Sequence, residues 1–369
     1  MRRALAAAVV ALVVASPAAA GPPQVTARAY YVENGATGEA LAGEDARARL
    51  PIASITKLMT VLIALEHAEL DDVVVAAPSA AAVGESTINL RAGERITVRD
   101  LVEAALVQSA NDAAWALASY VGKGDVQAFV RLMNAKAADL GLSETHFTRP
   151  DGLDAPGQVS SARDVTLLGR VAMQNPIIRS IVDDRVATIA GGRRLHTWND
   201  LLRTFPGVVG VKTGHTEAAG WSQVAAVRAS GFVLYATILG SPSRAQRNTD
   251  LAALLRWGLS RYATVHVVDR ERVYARAEVG YGKTPVAVVA PRAVVRAVRV
   301  DRALRERVVV PTALSLPVRK GEHVGEVRVY DGVRLVASSP LVAERTVEKP
   351  GLGARVSWYA RHTVDRMLP

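Results

Sequence analysis

The chain contains no cysteine, which excludes disulfide staples, cysteine nucleophiles, zinc–thiolate sites and iron–sulfur clusters. Beyond the N-terminus it has no uninterrupted apolar run of the ~18–20 residues that a membrane-crossing helix needs. Its seven histidines, from His67 to His362, show no metal-ligand spacing, so no metal and no cofactor is called for. A Gly-x-Ser-x-Gly elbow is also missing, which speaks against a Ser-His-Asp hydrolase.

What the chain does have is apolar mass. Half of its 369 residues are hydrophobic and the mean hydropathy is +0.15, enough for a sizeable core without disulfides and suited to two domains. At the N-terminus, Met1-Arg2-Arg3 is followed by the apolar run Ala4–Ala15, the small residues Ala18-Ala19-Ala20 and the helix-stopping Gly21-Pro22-Pro23. That is the pattern of an export signal, with a mature chain beginning near Gly21. The formal charge of +10 suits anionic partners. Export removes nucleic acid from the candidates and leaves anionic lipid or an anionic wall polymer.

Periodicity and turn residues predict a strand–turn–strand around Asn34–Gly38, then a helix over Ile55–His67. Thr97–Asp100 reads as a capping box ahead of Leu101–Val107, and Asp125–Leu140 and Asp164–Met173 read as further helices. Strands are predicted at Gly207–Lys212, Ser222–Arg228 and Phe232–Leu239, and a closing helix at Arg244–Tyr262. From Val265 to Glu344 the chain changes to short Val-rich strands broken by Gly, Pro and Asp, a separate small β domain. Within it, Ala277–Thr284 fits a relaxed phosphate-loop pattern. It is rejected because Pro285 and a strand follow where such a loop must open a helix.

Three short motifs carry chemistry. Ser54-Ile55-Thr56-Lys57 stands at the start of a predicted helix, where a three-residue spacing puts hydroxyl and amine on one face. The helix N-terminus adds backbone N–H groups suited to an oxyanion. Ser109-Ala110-Asn111 follows a helix and would alone pass for a cap or polar turn. Lys212-Thr213-Gly214 ends a predicted strand; the lysine offers positive charge, the threonine a hydroxyl for a carboxylate, and the glycine room for a peptide backbone. Each is weak alone. Their order and their helix and strand contexts make the conjunction informative.

At these residues the chain resembles the low-molecular-mass penicillin-binding proteins, the serine D-Ala-D-Ala carboxypeptidase family. The likeness runs through Pro51–Thr60, Ser109–Ala113, Gly152–Gln158 with Ser160-Ser161-Ala162, and Gly210–Thr216, and covers about residues 25–345. It implies an α+β fold: a β-lactamase/transpeptidase-like catalytic domain with an antiparallel sheet and helices, a small all-β domain and a C-terminal amphipathic helix. The corresponding boundaries are 1–20 for the signal peptide, 21–263, 264–347 (β-sandwich-like) and 348–369. The resemblance also implies the roles. Ser54 attacks the carbonyl between the two D-alanines of a peptidoglycan stem, and Lys57, as a free amine, takes its proton. Such a lysine needs a pKa lowered by burial and by a second cation, for which Lys212 is the candidate. Ser109 relays a proton to the leaving D-alanine, Asn111 holds the substrate amide, and Lys212 and Thr213 bind the terminal carboxylate beside Gly214. The backbone N–H groups of Ser54 and His215 form the oxyanion hole, and β-lactam antibiotics are trapped as acyl-enzymes.

Two positions depart from the family's pattern: Val209 replaces an acidic residue before Gly210, and Trp198 precedes Asn199 in the Asn-x-Leu-Leu stretch. In the tail, Leu352, Val356, Tyr359, Thr363 and Met367 share one helical face beside Trp358, with Arg355, Arg361, His362 and Arg366 elsewhere. This fits a helix lying on the inner-membrane surface, at the periplasmic face of the cytoplasmic membrane, or one packed on the β domain. A D,D-endopeptidase or β-lactamase using the same site is the alternative enzyme. The appended β domain and tail, and the lack of a Glu-x-x-Leu-Asn motif, favour the carboxypeptidase. A wall-binding protein with little activity is the reading from another class.

Overall fold

The computed structural model describes residues 5–12 and 21–364, with side chains for 21–361. It divides into two compact units, Gly21–Ser260 and a second built from Arg261 onward together with the N-terminal strand.

The first unit is built on a five-stranded antiparallel sheet in the order Glu39–Glu44, Ala29–Asn34, Phe232–Ser241, Gly220–Ala229, Val208–Thr216. The central strands are buried along most of their length, because both faces are covered. One face carries the helix Arg244–Ser260, through Leu251, Leu254 and Leu255 against Val32 and Leu234. The other carries Ala162–Ala172 and, beyond it, the helix Lys57–His67, whose Leu58, Met59 and Ile63 join Leu101, Leu117, Phe129 and Met133 in the main core. Local signals place the helix starts. Thr97 accepts from the Asp100 N–H and donates to its carboxylate. Asp125 accepts from the Gln127 N–H and Ser161 from the Asp164 N–H, so each caps its helix.

Several predicted elements differ in detail; the closing helix, for example, ends at Ser260 and Tyr262 opens a strand. The helix after Pro51 opens with a 3-10 turn, Ala53–Thr56, before the α-helix Lys57–His67. The strand predicted to stop at Lys212 runs on to Thr216, with Gly214 paired opposite Ser222. Gly214 does not end the strand; its backbone stays in the ladder.

Among the described residues the second unit is all β apart from its last helix. A seven-stranded sheet runs Leu5–Leu12, Leu304–Pro311, His323–Asp331, Arg334–Ala343, Val286–Val289, Val273–Val279, Ala313–Leu314. The two-stranded ribbon Tyr262–Val268 with Val294–Arg299 packs on it around a valine-rich core. Leu5–Leu12, the described part of the apolar N-terminal run, thus pairs along its backbone with Leu304–Pro311. Ala18–Ala20, the proposed cleavage site, lie outside the described residues. Strand Val273–Val279 leads through a turn to strand Val286–Val289, so no helix follows the phosphate-loop-like stretch. The helix Leu352–Val364 meets the β structure through Trp358 and Tyr359, both packed edge-on against Tyr281. Leu352, Val356 and Tyr359 are 73%, 67% and 57% exposed, so most of the apolar stripe faces outward. The side chains of His362, Thr363, Arg366 and Met367 are outside the described set.

Candidate active site

Ser54 sits in the 3-10 turn that delivers the chain into the helix Lys57–His67, and one turn on, Lys57 points the same way. Its Nζ lies 2.8 Å from Ser54 Oγ, 2.7 Å from Asn111 Oδ1 and 2.7 Å from the Asp151 carbonyl oxygen. A neutral amine has two hydrogens and one lone pair. Two of the three neighbours, an amide oxygen and a backbone carbonyl, can only accept. They take the two hydrogens and leave the lone pair to the serine hydroxyl. Lys57 is fully buried, and burial pulls its pKa down to about 7, against the opposing pull of Asp151 and Glu85. Two other cations bear on this amine. Arg149 adds to the depression, and Lys212 is itself pulled well down, first by burial and then by Lys57, so the two amines oppose each other's charge.

The second motif follows a π-helical turn, Ala104–Gln108, which ends when Ser109 takes a left-handed conformation, φ 67°. That kink turns its hydroxyl to 2.8 Å from Lys212 Nζ across the cleft. Such a conformation strains a non-glycine residue and is held by the packing around it. Asn111 uses its amide oxygen on Lys57 and its nitrogen on the Gly84 carbonyl at 3.0 Å. Its side chain therefore braces the amine as well as facing the cleft.

The third motif lies on the sheet's edge strand, Val208–Thr216. Lys212 and Thr213 are buried to 3% and 7%, and His215 is exposed with its ring 3.9 Å from that of Trp221. Gly214 also meets a packing demand. A Cβ there would stand 2.6 Å from the Ile52 carbonyl oxygen and 3.2 Å from the Ala53 Cβ. The missing side chain lets the strand close on the turn that carries Ser54.

The structure thus brings Ser54, Lys57, Ser109, Asn111, Lys212, Thr213, Gly214 and His215 to one place. Ser54, Ser109, Asn111, Thr213, Gly214 and His215 line a cleft of about 210 Å³. Three contributors escaped the sequence reading. Asp151 supplies the carbonyl under Lys57, while its buried carboxylate takes Arg149 at 2.6 and 2.8 Å and the Trp115 indole at 2.7 Å. Burial pushes that carboxyl's pKa up, but Arg149 and Lys57 outweigh it and leave it lowered. Gln158 donates to Thr56 and accepts from Thr148, tying the loop to the nucleophile's turn. Arg247, 1% exposed, also lines the cleft; burial lowers its pKa to about 10, while Asp200 pulls the other way. The stretch 149–162, rich in Gly, Pro, Asp and Ser, reads from sequence as a loop and holds the first two, while nothing local marks Arg247. Among the described residues no group of three or more acidic or histidine side chains could hold a metal ion, and no helix is long and apolar enough to cross a membrane.

Known proteins carry the same two-part organisation. The family described as "D-alanyl-D-alanine carboxypeptidase" matches residues 16–243, and "Penicillin-binding protein 5, C-terminal domain" matches 262–349. The carboxypeptidase DacD of Salmonella typhimurium is 32% identical over 92% of this chain and 91% of its own length. Penicillin binding protein 5 of Haemophilus influenzae superposes with a TM-score of 0.66 at 28% identity, covering 89% of this chain and all of that structure. The DD-transpeptidase of Streptomyces K15 gives 0.62 at 30% identity and covers 65% of this chain.

Proposed function

The chain belongs to the D-alanyl-D-alanine carboxypeptidase family, and from that premise we propose that it removes the terminal D-alanine from peptidoglycan pentapeptides through an acyl-enzyme on Ser54. The observation that carries the assignment of residues is the 2.8 Å approach of a buried amine, with pKa about 7, to the Ser54 hydroxyl. Lys57 takes the hydroxyl proton as Ser54 Oγ bonds to the carbonyl carbon between the two D-alanines. The backbone N–H groups of Ser54 and His215 receive the oxyanion. The C–N bond then breaks, and the leaving amine takes a proton by way of Ser109. Water then attacks the ester carbonyl, giving a proton to the Lys57 amine; the C–Oγ bond breaks, Lys57 returns that proton to Ser54 Oγ, and the acid product leaves.

Lys212, Thr213 and Arg247 hold the substrate's terminal carboxylate. A buried lysine whose pKa is already depressed regains its charge most readily when an anion arrives beside it. A β-lactam carries the same carboxylate beside a strained amide, and acylates Ser54 by the same steps. Asn111 steadies Lys57 and presents its remaining N–H to the substrate.

Export with loss of residues 1–20, and peripheral attachment to the membrane by the tail, belong to the same proposal. They are supported by the N-terminal pattern and by the outward-facing Leu352, Val356 and Tyr359. Mass spectrometry of a muropeptide digest tests the reaction. Pentapeptides losing one D-alanine agree with it; cleaved cross-links with intact pentapeptides mark an endopeptidase instead. For the tail, the mature protein is predicted to bind anionic liposomes more than a version ending at Lys349, and equal partitioning contradicts the attachment.

A further inference from the structure

Trp198 stands on the rim of the cleft and takes no part in the acyl transfer. Its indole nevertheless joins the two walls. Nε1 donates to the Gln108 carbonyl at 3.0 Å, one residue before Ser109. That carbonyl also accepts from Ser86 Oγ at 2.9 Å, and the Gln108 side chain donates to the Thr87 carbonyl at 2.8 Å, so the far anchor is itself fixed. Behind the ring, the Arg244 guanidinium lies 5.4 Å from its centroid. Asp200 grips Arg244 at 2.7 and 2.6 Å and also takes Asn248 at 2.8 Å, which in turn holds Arg247. Next door, Asn199 accepts from Gln223 at 2.8 Å, and Gln223 lies opposite Thr213 in the ladder. A side chain 46% exposed is thus held from two sides, by the Gln108 carbonyl and by Arg244, while its chain neighbour Asn199 is tied to the sheet.

The cleft that Trp198 lines also holds Ser109, Thr213 and Arg247, the groups around the leaving D-alanine and its carboxylate. We propose that Trp198 is a specificity-determining residue that closes the leaving-group end of the cleft, admitting a peptide that ends in a free D-alanine carboxylate and rejecting one whose chain continues. This rests on the carboxypeptidase reading above. The bonds made and broken are the same for both substrates: the acyl group passes to Ser54 Oγ, the C–N bond breaks and the amine leaves with a proton. Only the leaving group's length differs, and a residue attached at the carboxylate has to pass where the indole bridges the walls.

The test uses the full chain, diacetyl-L-lysyl-D-alanyl-D-alanine, and the same peptide extended by one glycine. Wild type is predicted to cleave the first and to discriminate strongly against the second. Trp198→Ala raises the ratio of kcat/KM, extended over free, by ~10-fold or more, and Arg244→Ala shifts it the same way by less. Labelling of Ser54 by a fluorescent penicillin is followed in every variant. A labelled Trp198→Ala whose ratio is unchanged overturns the proposal, as does a folded Trp198→Ala that no longer labels, since the ring then serves acylation itself. Wild type cleaving both peptides equally overturns it too. A folded wild type that neither labels nor releases D-alanine sinks the carboxypeptidase reading instead.

Discussion

Lys57 is where burial, geometry and chemistry meet. Its amine is the working form, and with a pKa of about 7 that form is a minority in acid and dominates above neutrality. Acylation by a penicillin is therefore predicted to rise about tenfold per pH unit below 7, being about 100-fold slower at pH 5 than on the plateau. Stopped-flow fluorescence checks the slope; a flat profile from pH 5 to 8 contradicts it. Lys212 works the other way, because it is useful when charged and its pKa is pulled well below the ordinary 10.5. The KM for a carboxylate-ended peptide is predicted to climb on the alkaline side before pH 10.5, with kcat affected less. The pairing of Ser54 with Lys57 was legible because three residues on a helix is a local relation. Asn111 and Asp151 reach the same amine from 54 and 94 residues away, and no local pattern announces such contacts.

At the scale of elements, the site depends on loops and strands closing on one 3-10 turn. Two glycines set how near they come. A Cβ at Gly152, where φ is +85°, would lie 2.1 Å from the Ala53 carbonyl oxygen, and one at Gly214 would lie 2.6 Å from that of Ile52. Gly214→Ala is predicted to slow penicillin acylation by ~100-fold or more by pushing the nucleophile's turn off the edge strand. Labelling kinetics check it, and a wild-type rate means the turn yields without cost. Asp151→Ala leaves Arg149 and the Trp115 N–H without their acceptor. It is predicted to cost ~2 kcal/mol, a fall in melting temperature of ~4–8 °C by calorimetry. The helix start after Thr97 was legible through its capping residue, since a cap is a local bond; the helix capped by Ser161 begins at Ala162, two residues before the Asp164 read from periodicity. The strand through Gly214 was not legible. Its glycine answers to Ile52 and Ala53, across space, and read in one dimension it looked like a stop.

In the whole molecule, every side chain of the proposed chemistry comes from Gly21–Ser260, and Arg261 onward contributes none. A protein of residues 21–260 is accordingly predicted to take penicillin within ~3-fold of the full-length rate, because a unit with its own core folds alone. Loss of labelling in a folded fragment would show that the β unit supports the site. The change of composition at Val265 made that division legible, and the two family matches fall on either side of it. The central claim is that Ser54 is the nucleophile and Lys57 its base. It is tested most directly by peptide mapping of the protein after brief exposure to penicillin. The mass of one penicilloyl group is predicted on the peptide containing Ser54 in wild type, absent in Ser54→Ala and formed far more slowly in Lys57→Ala; an adduct on another residue, or undiminished labelling of either variant, would contradict the account.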